Sequence, residues 1–125
     1  MTEPALVYYT DQELPSPGLN WYDNSDPARL IDFSTGWTFT VKIAAASAPN
    51  TVLVTKTTGI TGSAGSSTTP NVVIDWSTTD WSTLTPAAAG SDYLMTVYAR
   101  RNADSKDRVY RPGRPIALRI IPAAT

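Results

Sequence analysis

The side chains best suited to chemistry in this chain are two carboxylates in one aromatic stretch. Asp75 and Asp80 stand in IDWSTTDW, beside Trp76 and Trp81. A pair of Asp or Glu residues across a sugar ring is the usual machinery of glycoside hydrolysis, one as acid and one as base or nucleophile. Nothing in the sequence buries either carboxylate or turns it toward the other. A second oxygen-rich run, Asp23-Asn24-Ser25-Asp26, offers ligands to a hard cation such as calcium. Its spacing departs from that of an EF-hand loop and fits an Asx turn closed by Pro27. The chain has no histidine and no cysteine. It therefore cannot build a Ser-His-Asp or Cys-His arrangement, a thiolate metal site or a disulfide from its own residues. The commonest general base and pH switch is missing too. The expectation is a protein that is not an enzyme, with no catalytic residue, cofactor or metal.

Binding is the other chemistry to weigh. The four tryptophans are Trp21, Trp37, Trp76 and Trp81. A planar row of exposed aromatics holds sugars in many β-sandwich modules. Trp37 and Trp76 fall on strand faces and read as core. Trp21 and Trp81 lie near turns and read, with Tyr22, as interface anchors. A carbohydrate-binding module for host cell-surface glycans, using Trp21 and Trp81, is thus one alternative.

Charge is unevenly distributed behind a net value of −1. Residues 1–32 carry Glu3, Asp11, Glu13, Asp23, Asp26 and Asp32 against Arg29 alone. Seven of the ten bases lie in residues 100–119: Arg100, Arg101, Lys106, Arg108, Arg111, Arg114 and Arg119. Either the two segments lie side by side and neutralise each other, or they occupy opposite ends and give stacked subunits a polarity. Arg100, Arg101, Arg108, Arg111 and Arg114 are the basic candidates for a protein interface. The slightly acidic total argues against a nucleic-acid partner.

The elements that must position these residues are short strands. A chain of 125 residues, 42% hydrophobic and 17% charged, is sized and composed for one domain with a real core. Trp37 to Ile43 alternates Trp37, Phe39, Val41 and Ile43 with Thr38, Thr40 and Lys42, the period-2 signature of a half-buried strand. Tyr93 to Ala99 alternates likewise, and Ile116, Leu118 and Ile120 mark a closing strand. Ala5–Tyr9, Arg29–Phe33, Thr51–Thr57, Asn71–Trp76 and Arg108–Arg111 complete the set. Asn102 to Asp107 reads as a hairpin turn. Gly59 to Pro70, rich in Gly, Ser and Thr, reads as a long loop. Ser77 reads as an N-cap with Asp80 in the capping-box position, which predicts a helical turn at about Thr78–Ser82. Residues 1–28 read as an N-terminal arm or first strand with a proline-rich segment that would lie along a neighbour. Residues 29–125 read as the body of a single domain. The pattern predicts an all-β, antiparallel β-sandwich of about seven or eight strands with one short helical turn. No leader peptide and no apolar run of about 20 residues is visible, so synthesis in a cytoplasm is expected.

One resemblance adds to this reading. IDFSTGWTFTVKI, TVLVTKTTGITG, NVVIDWSTTDWSTLTPAAAGSDYLMTVYAR and RPIALRI follow one another in an order of strands and turns. That order resembles the immunoglobulin-like N-terminal domain of bacteriophage baseplate upper proteins and related small domains of tail and virion proteins. The resemblance covers roughly residues 29–121. It implies an immunoglobulin-like sandwich and a structural role in a virion, most naturally a minor tail or baseplate subunit that acts by protein–protein assembly. Other phage structural proteins and further copies of the chain would be the partners, without nucleic acid or membrane. A capsid decoration protein of the same fold is a second placement.

Overall fold

Trp37–Ala45 and Ser91–Arg101 form the centre of the larger of two sheets, as their alternation predicts. The structure is a computed structural model. It describes residues 6–10, 16–23, 29–66, 68–110 and 115–122, the side chains of residues 6 and 78 excepted. Among the described residues there are nine strands. In chain order they are β1 (Leu6–Tyr9), β2 (Gly18–Leu19), β3 (Trp37–Ala45), β4 (Val52–Lys56), β5 (Ile60–Gly62), β6 (Val72–Ile74), β7 (Ser91–Arg101), β8 (Lys106–Val109) and β9 (Ile116–Ile121). A 3₁₀ turn at Thr78–Trp81 joins the two sheets.

The larger sheet runs β1-β9-β7-β3-β4, with β8 also paired to β7. The smaller runs β2-β6-β5. β8 and β9 lie end to end along the same edge of β7: β8 pairs Tyr98–Arg101 and β9 pairs Ser91–Met95. They act as one interrupted strand. The result is an immunoglobulin-like β-sandwich, with one long-stranded sheet packed on a short three-stranded one. The expected purely antiparallel arrangement needs one correction. β1 pairs β9 in parallel, Tyr8 opposite Ile120. This places Leu6–Tyr9 within the chain's own sheet, and β2 within the other. These parts of residues 1–28 are strands of the sandwich, as the first-strand reading expects, and most of the proline-rich run between them lies outside the described residues.

The core follows from strand periodicity. Phe39, Val41 and Ile43 on β3, Tyr93, Met95, Val97 and Ala99 on β7, and Ile116, Leu118 and Ile120 on β9 are all buried. Each fully buried aliphatic side chain of this kind contributes about 1.5–3 kcal/mol. Opposite them Val72 and Ile74 of β6 close the smaller sheet. Towards the end where the chain crosses after β6, Tyr8 packs against Trp76 and Trp81 with ring centroids 5.7 and 5.2 Å away, and the Trp76 indole N–H donates to the Tyr8 hydroxyl at 2.8 Å. The predicted cap forms as expected. Ser77 caps the 3₁₀ turn, its hydroxyl accepting from Thr79 N, while Asp80 accepts from Ser77 N at 2.8 Å.

Two expectations fail for short segments. Gly59–Pro70 is not all loop: Ile60–Gly62 forms β5, paired with β6 from Ile60↔Ile74 to Gly62↔Val72. Three residues give no readable period, and Gly62 is there for space. A Cβ on it would sit 2.5 Å from the Phe33 carbonyl oxygen. Arg29–Phe33 makes only an isolated bridge, Tyr22↔Leu30. The buried Asn71 side chain takes the place of a ladder. Its Oδ1 accepts from Trp21 N at 2.8 Å, and its Nδ2 donates to the carbonyls of Trp21 and Ile31 at 2.8 and 2.9 Å. Among the described residues no helix is long and apolar enough to cross a membrane.

Candidate functional site

The segment between β2 and β3 and the β7–β8 hairpin meet at one end of the sandwich. A line of edge-to-face aromatic contacts joins them. Tyr110 meets Trp21 at 5.4 Å, Trp21 meets Phe33 at 5.2 Å, and Phe33 meets Trp37 at 4.9 Å. Trp37 is half-buried, and the Arg108 guanidinium lies over its ring, 5.7 Å from the centroid. The hairpin is pinned to the same end by Asn102, whose N–H donates to the Gly36 carbonyl and whose Oδ1 accepts from the Thr38 hydroxyl. Tyr22, next to the buried Trp21 in sequence, is 52% exposed.

The hairpin is exposed throughout residues 100–108, yet it is internally fixed. Arg100 reaches Asp107 through two nitrogens, at 2.7 and 3.2 Å. Arg101 grips Asp104, whose other oxygen accepts from Lys106 N at 3.2 Å. Ser105 takes the left-handed conformation, φ 55°, that closes the turn. The Arg101 guanidinium holds the Asp104 carboxyl down at about 2, and Arg100 holds Asp107 below the usual carboxylate range. Both arginines are pushed up by these same partners. Surface pairs of this kind add little stability. Their effect is to hold the side chains in one geometry, which lowers the ordering cost of a contact. Arg100, Arg101, Lys106 and Arg108 outnumber Asp104 and Asp107, so the hairpin remains basic.

The structure sorts the sequence-derived candidates into three groups. Arg100, Arg101 and Arg108 share the exposed β7–β8 hairpin, and Tyr22 is exposed on the segment before β3. Trp21 and Trp81 do not belong to a surface: they are 6% and 2% exposed. Trp21 follows Leu19 at strand period into the core, and Trp81 stacks on Trp76 at 4.6 Å. These two tryptophans therefore cannot form a sugar platform. Arg111 and Arg114 lie outside the described residues, as do Asn24, Ser25 and Asp26 of the oxygen-rich run. In that run Asp23 Oδ1 accepts from Arg29 N at 3.0 Å, a turn contact.

The charge split resolves locally. Arg100, Arg101 and Arg119 pair with Asp107, Asp104 and Asp92, acids on their own hairpin or on the adjacent strand. Of the N-terminal acids, Glu3, Asp11, Glu13 and Asp26 lie outside the described residues, and Asp23 and Asp32 are held by their own segment. Asp32 is turned to its own loop, accepting from Ser34 N and Oγ, which lowers its pKa.

The tempting carboxylate pair also separates. Asp75 is exposed, while Asp80 is tied to Lys56, Nζ to Oδ2 at 2.7 Å, and to the cap. Lys56 is only 4% exposed and lies 5.4 Å from the Trp76 ring. Sequence reasoning missed this buried cation, although its signal was present: Lys56 sits two residues beyond Val54, on the inward phase of β4. It missed Asn71 as well, whose partners are 40 and 50 residues away. Among the described residues no group of three His, Cys, Asp or Glu converges on a metal position. A shallow groove at the opposite end, beside Ala45, Leu53, Thr85 and Asp92, has two of its hydroxyls tied to the chain: Thr83 donates to the Leu53 carbonyl and Ser91 accepts from Ala87 N. No known protein family, no curated protein and no solved structure matches the chain.

Proposed function

We propose that this chain is a structural subunit of a bacteriophage virion, a minor tail or baseplate protein that works by protein–protein assembly. The observation that carries the assembly role is the pre-ordered, exposed basic hairpin, Arg100, Arg101, Lys106 and Arg108. Arginine and tyrosine are the side chains most often found at the energetic centres of interfaces. Locked ion pairs reduce the ordering cost of docking. The virion placement is supported by the resemblance of residues 29–121 to immunoglobulin-like baseplate and tail domains. In this reading the hairpin end contacts a neighbouring, acidic virion protein, and the protein is made in the host cytoplasm before incorporation.

The test is mass spectrometry and immunogold labelling of purified virions from the source phage. The expected result is the chain in particles, with label at the tail tip. Label on the head would move the protein to capsid decoration. Its presence in lysate but not in particles would end the virion reading.

A further inference from the structure

β8 is an edge strand. It pairs with β7 on one side, and among the described residues no strand lies on its other side. The register fixes which of its backbone groups are left open. Tyr110 extends the β7–β8 ladder by one pair, its N–H donating to the Val97 carbonyl. Bonded and non-bonded pairs alternate along an antiparallel ladder. The main chain of Arg108 therefore bonds to β7, and the N–H and C=O groups of Asp107 and Val109 are directed to the open side. The edge at β4 is different. There the segment around the 3₁₀ turn closes on the strand, with Thr83 donating to the Leu53 carbonyl and Asp80 holding Lys56.

The side chains of β8 add a selection. Lys106 and Arg108 are two residues apart and share one face of the strand. By register this is the face of Trp37, over whose ring Arg108 lies. Among the described residues neither cation is in an ion pair, because Arg101 takes Asp104 and Arg100 takes Asp107. Asp107 points to the opposite face, so it does not neutralise them there.

We infer that the open edge of β8 takes an extended segment of another protein as an added strand, and that this segment carries carboxylates at alternate positions. Main-chain bonds to Asp107 and Val109 hold the segment, and alternate side chains facing Lys106 and Arg108 select it. A second copy of β8 does not fit. Antiparallel pairing through Asp107 would set Lys106 of each copy against Arg108 of the other. Basic side chains on an open edge thus reject like strands and admit an acidic one. The inference deepens the assembly reading by naming how an acidic neighbour docks, and it rests on that reading for the neighbour's being a virion protein.

The probe is a blocked peptide of alternating glutamate and threonine, about six residues long. It is added to the full chain while amide hydrogen exchange is followed by NMR. Exchange at Asp107 and Val109 is expected to slow. The Arg108 amide, already bonded to β7, is the control that the hairpin is intact. The counterpart peptide with lysine in place of glutamate should bind about tenfold more weakly or worse. Val109→Pro removes an outward donor without breaking a bond to β7, and should weaken the glutamate peptide about tenfold while Arg108 stays protected. Equal binding of the two peptides would overturn the inference. So would unchanged exchange at Asp107 and Val109 up to millimolar peptide, or undiminished binding by Val109→Pro. Virion incorporation is decided on particles: a chain found in particles that fails these tests loses the edge site alone, and a chain absent from particles that passes them loses the virion reading alone.

Discussion

Asp80→Asn is expected to destabilise the protein far more than its partly exposed position suggests, and Lys56→Met is expected to undo most of that loss. Lys56 carries its ammonium in a site 4% exposed, with Asp80 Oδ2 at 2.7 Å and the face of Trp76 beside it. Breaking a buried ion pair by removing one partner costs about 3–5 kcal/mol, because the remaining charge is left without compensation. The Asp80 side chain is 16% exposed, so water softens the penalty, and about 2–4 kcal/mol is the working figure. The introduced amide can still accept from Ser77 N, so loss of the cap is a minor part. Lys56→Met keeps the stem that packs under β4 and removes the cation. Asp80 then retains its cap contact and water, and the cost is about 0–1.5 kcal/mol. The double variant should resemble Lys56→Met, giving a coupling of about 2–4 kcal/mol. Urea unfolding followed by the fluorescence of the adjacent Trp76 and Trp81 measures all four corners of the cycle, with m-values checking that unfolding stays two-state. Additive single effects, within about 0.5 kcal/mol, would show that the pair does not hold β4 to the 3₁₀ turn.

Three further outcomes test other parts of the fold. Asn71→Ala strands the Trp21 N–H and the Ile31 carbonyl, while the Trp21 carbonyl keeps the Ile31 N–H, and should cost about 3 kcal/mol and lower the thermal midpoint by about 10 °C. Burial pushes the Tyr8 hydroxyl up from 10.0 to about 12. The folded state then keeps a proton that the unfolded chain loses near pH 10, so stability falls between pH 10 and 12 by about 2–3 kcal/mol. Tyr8→Phe is less stable at neutral pH, because the Trp76 indole N–H loses its acceptor, and its deficit against the parent should shrink across that window in pH-stepped urea melts. Ser105→Gly relieves the left-handed backbone at φ 55° and should stabilise the hairpin by about 0.5–1 kcal/mol by calorimetry, without moving Arg100 or Arg101.

The long elements were readable because period 2 is a property of neighbouring residues. Trp37 to Ile43 and Tyr93 to Ala99 show it directly, and their inward phases are the buried ones. The Ser77–Asp80 cap was readable for the same reason: a capping box is complete within four residues. β5 and the direction of β1 were not readable. Ile60–Gly62 is strand only because β6 lies beside it, and Leu6–Tyr9 runs parallel to a strand more than a hundred residues later. Local sequence carries no record of either partner.

For the candidate site the same division explains the misplaced tryptophans. Nearness to a turn in sequence is not exposure. Trp21 lies two residues beyond the buried Leu19, so the strand phase of Gly18–Leu19 carries it inward even though the ladder has ended. Trp81 is drawn in by the crossing itself, which lays the 3₁₀ turn over Tyr8 and Trp76. Arg100, Arg101 and Arg108 were identifiable because a hairpin with a polar turn must project, and a projecting segment keeps its long basic side chains in water. The hairpin end thereby presents its charges in a fixed geometry, and Arg100→Ser, which releases Asp107, should loosen that geometry more than a change at Lys106, which has no ion pair among the described residues.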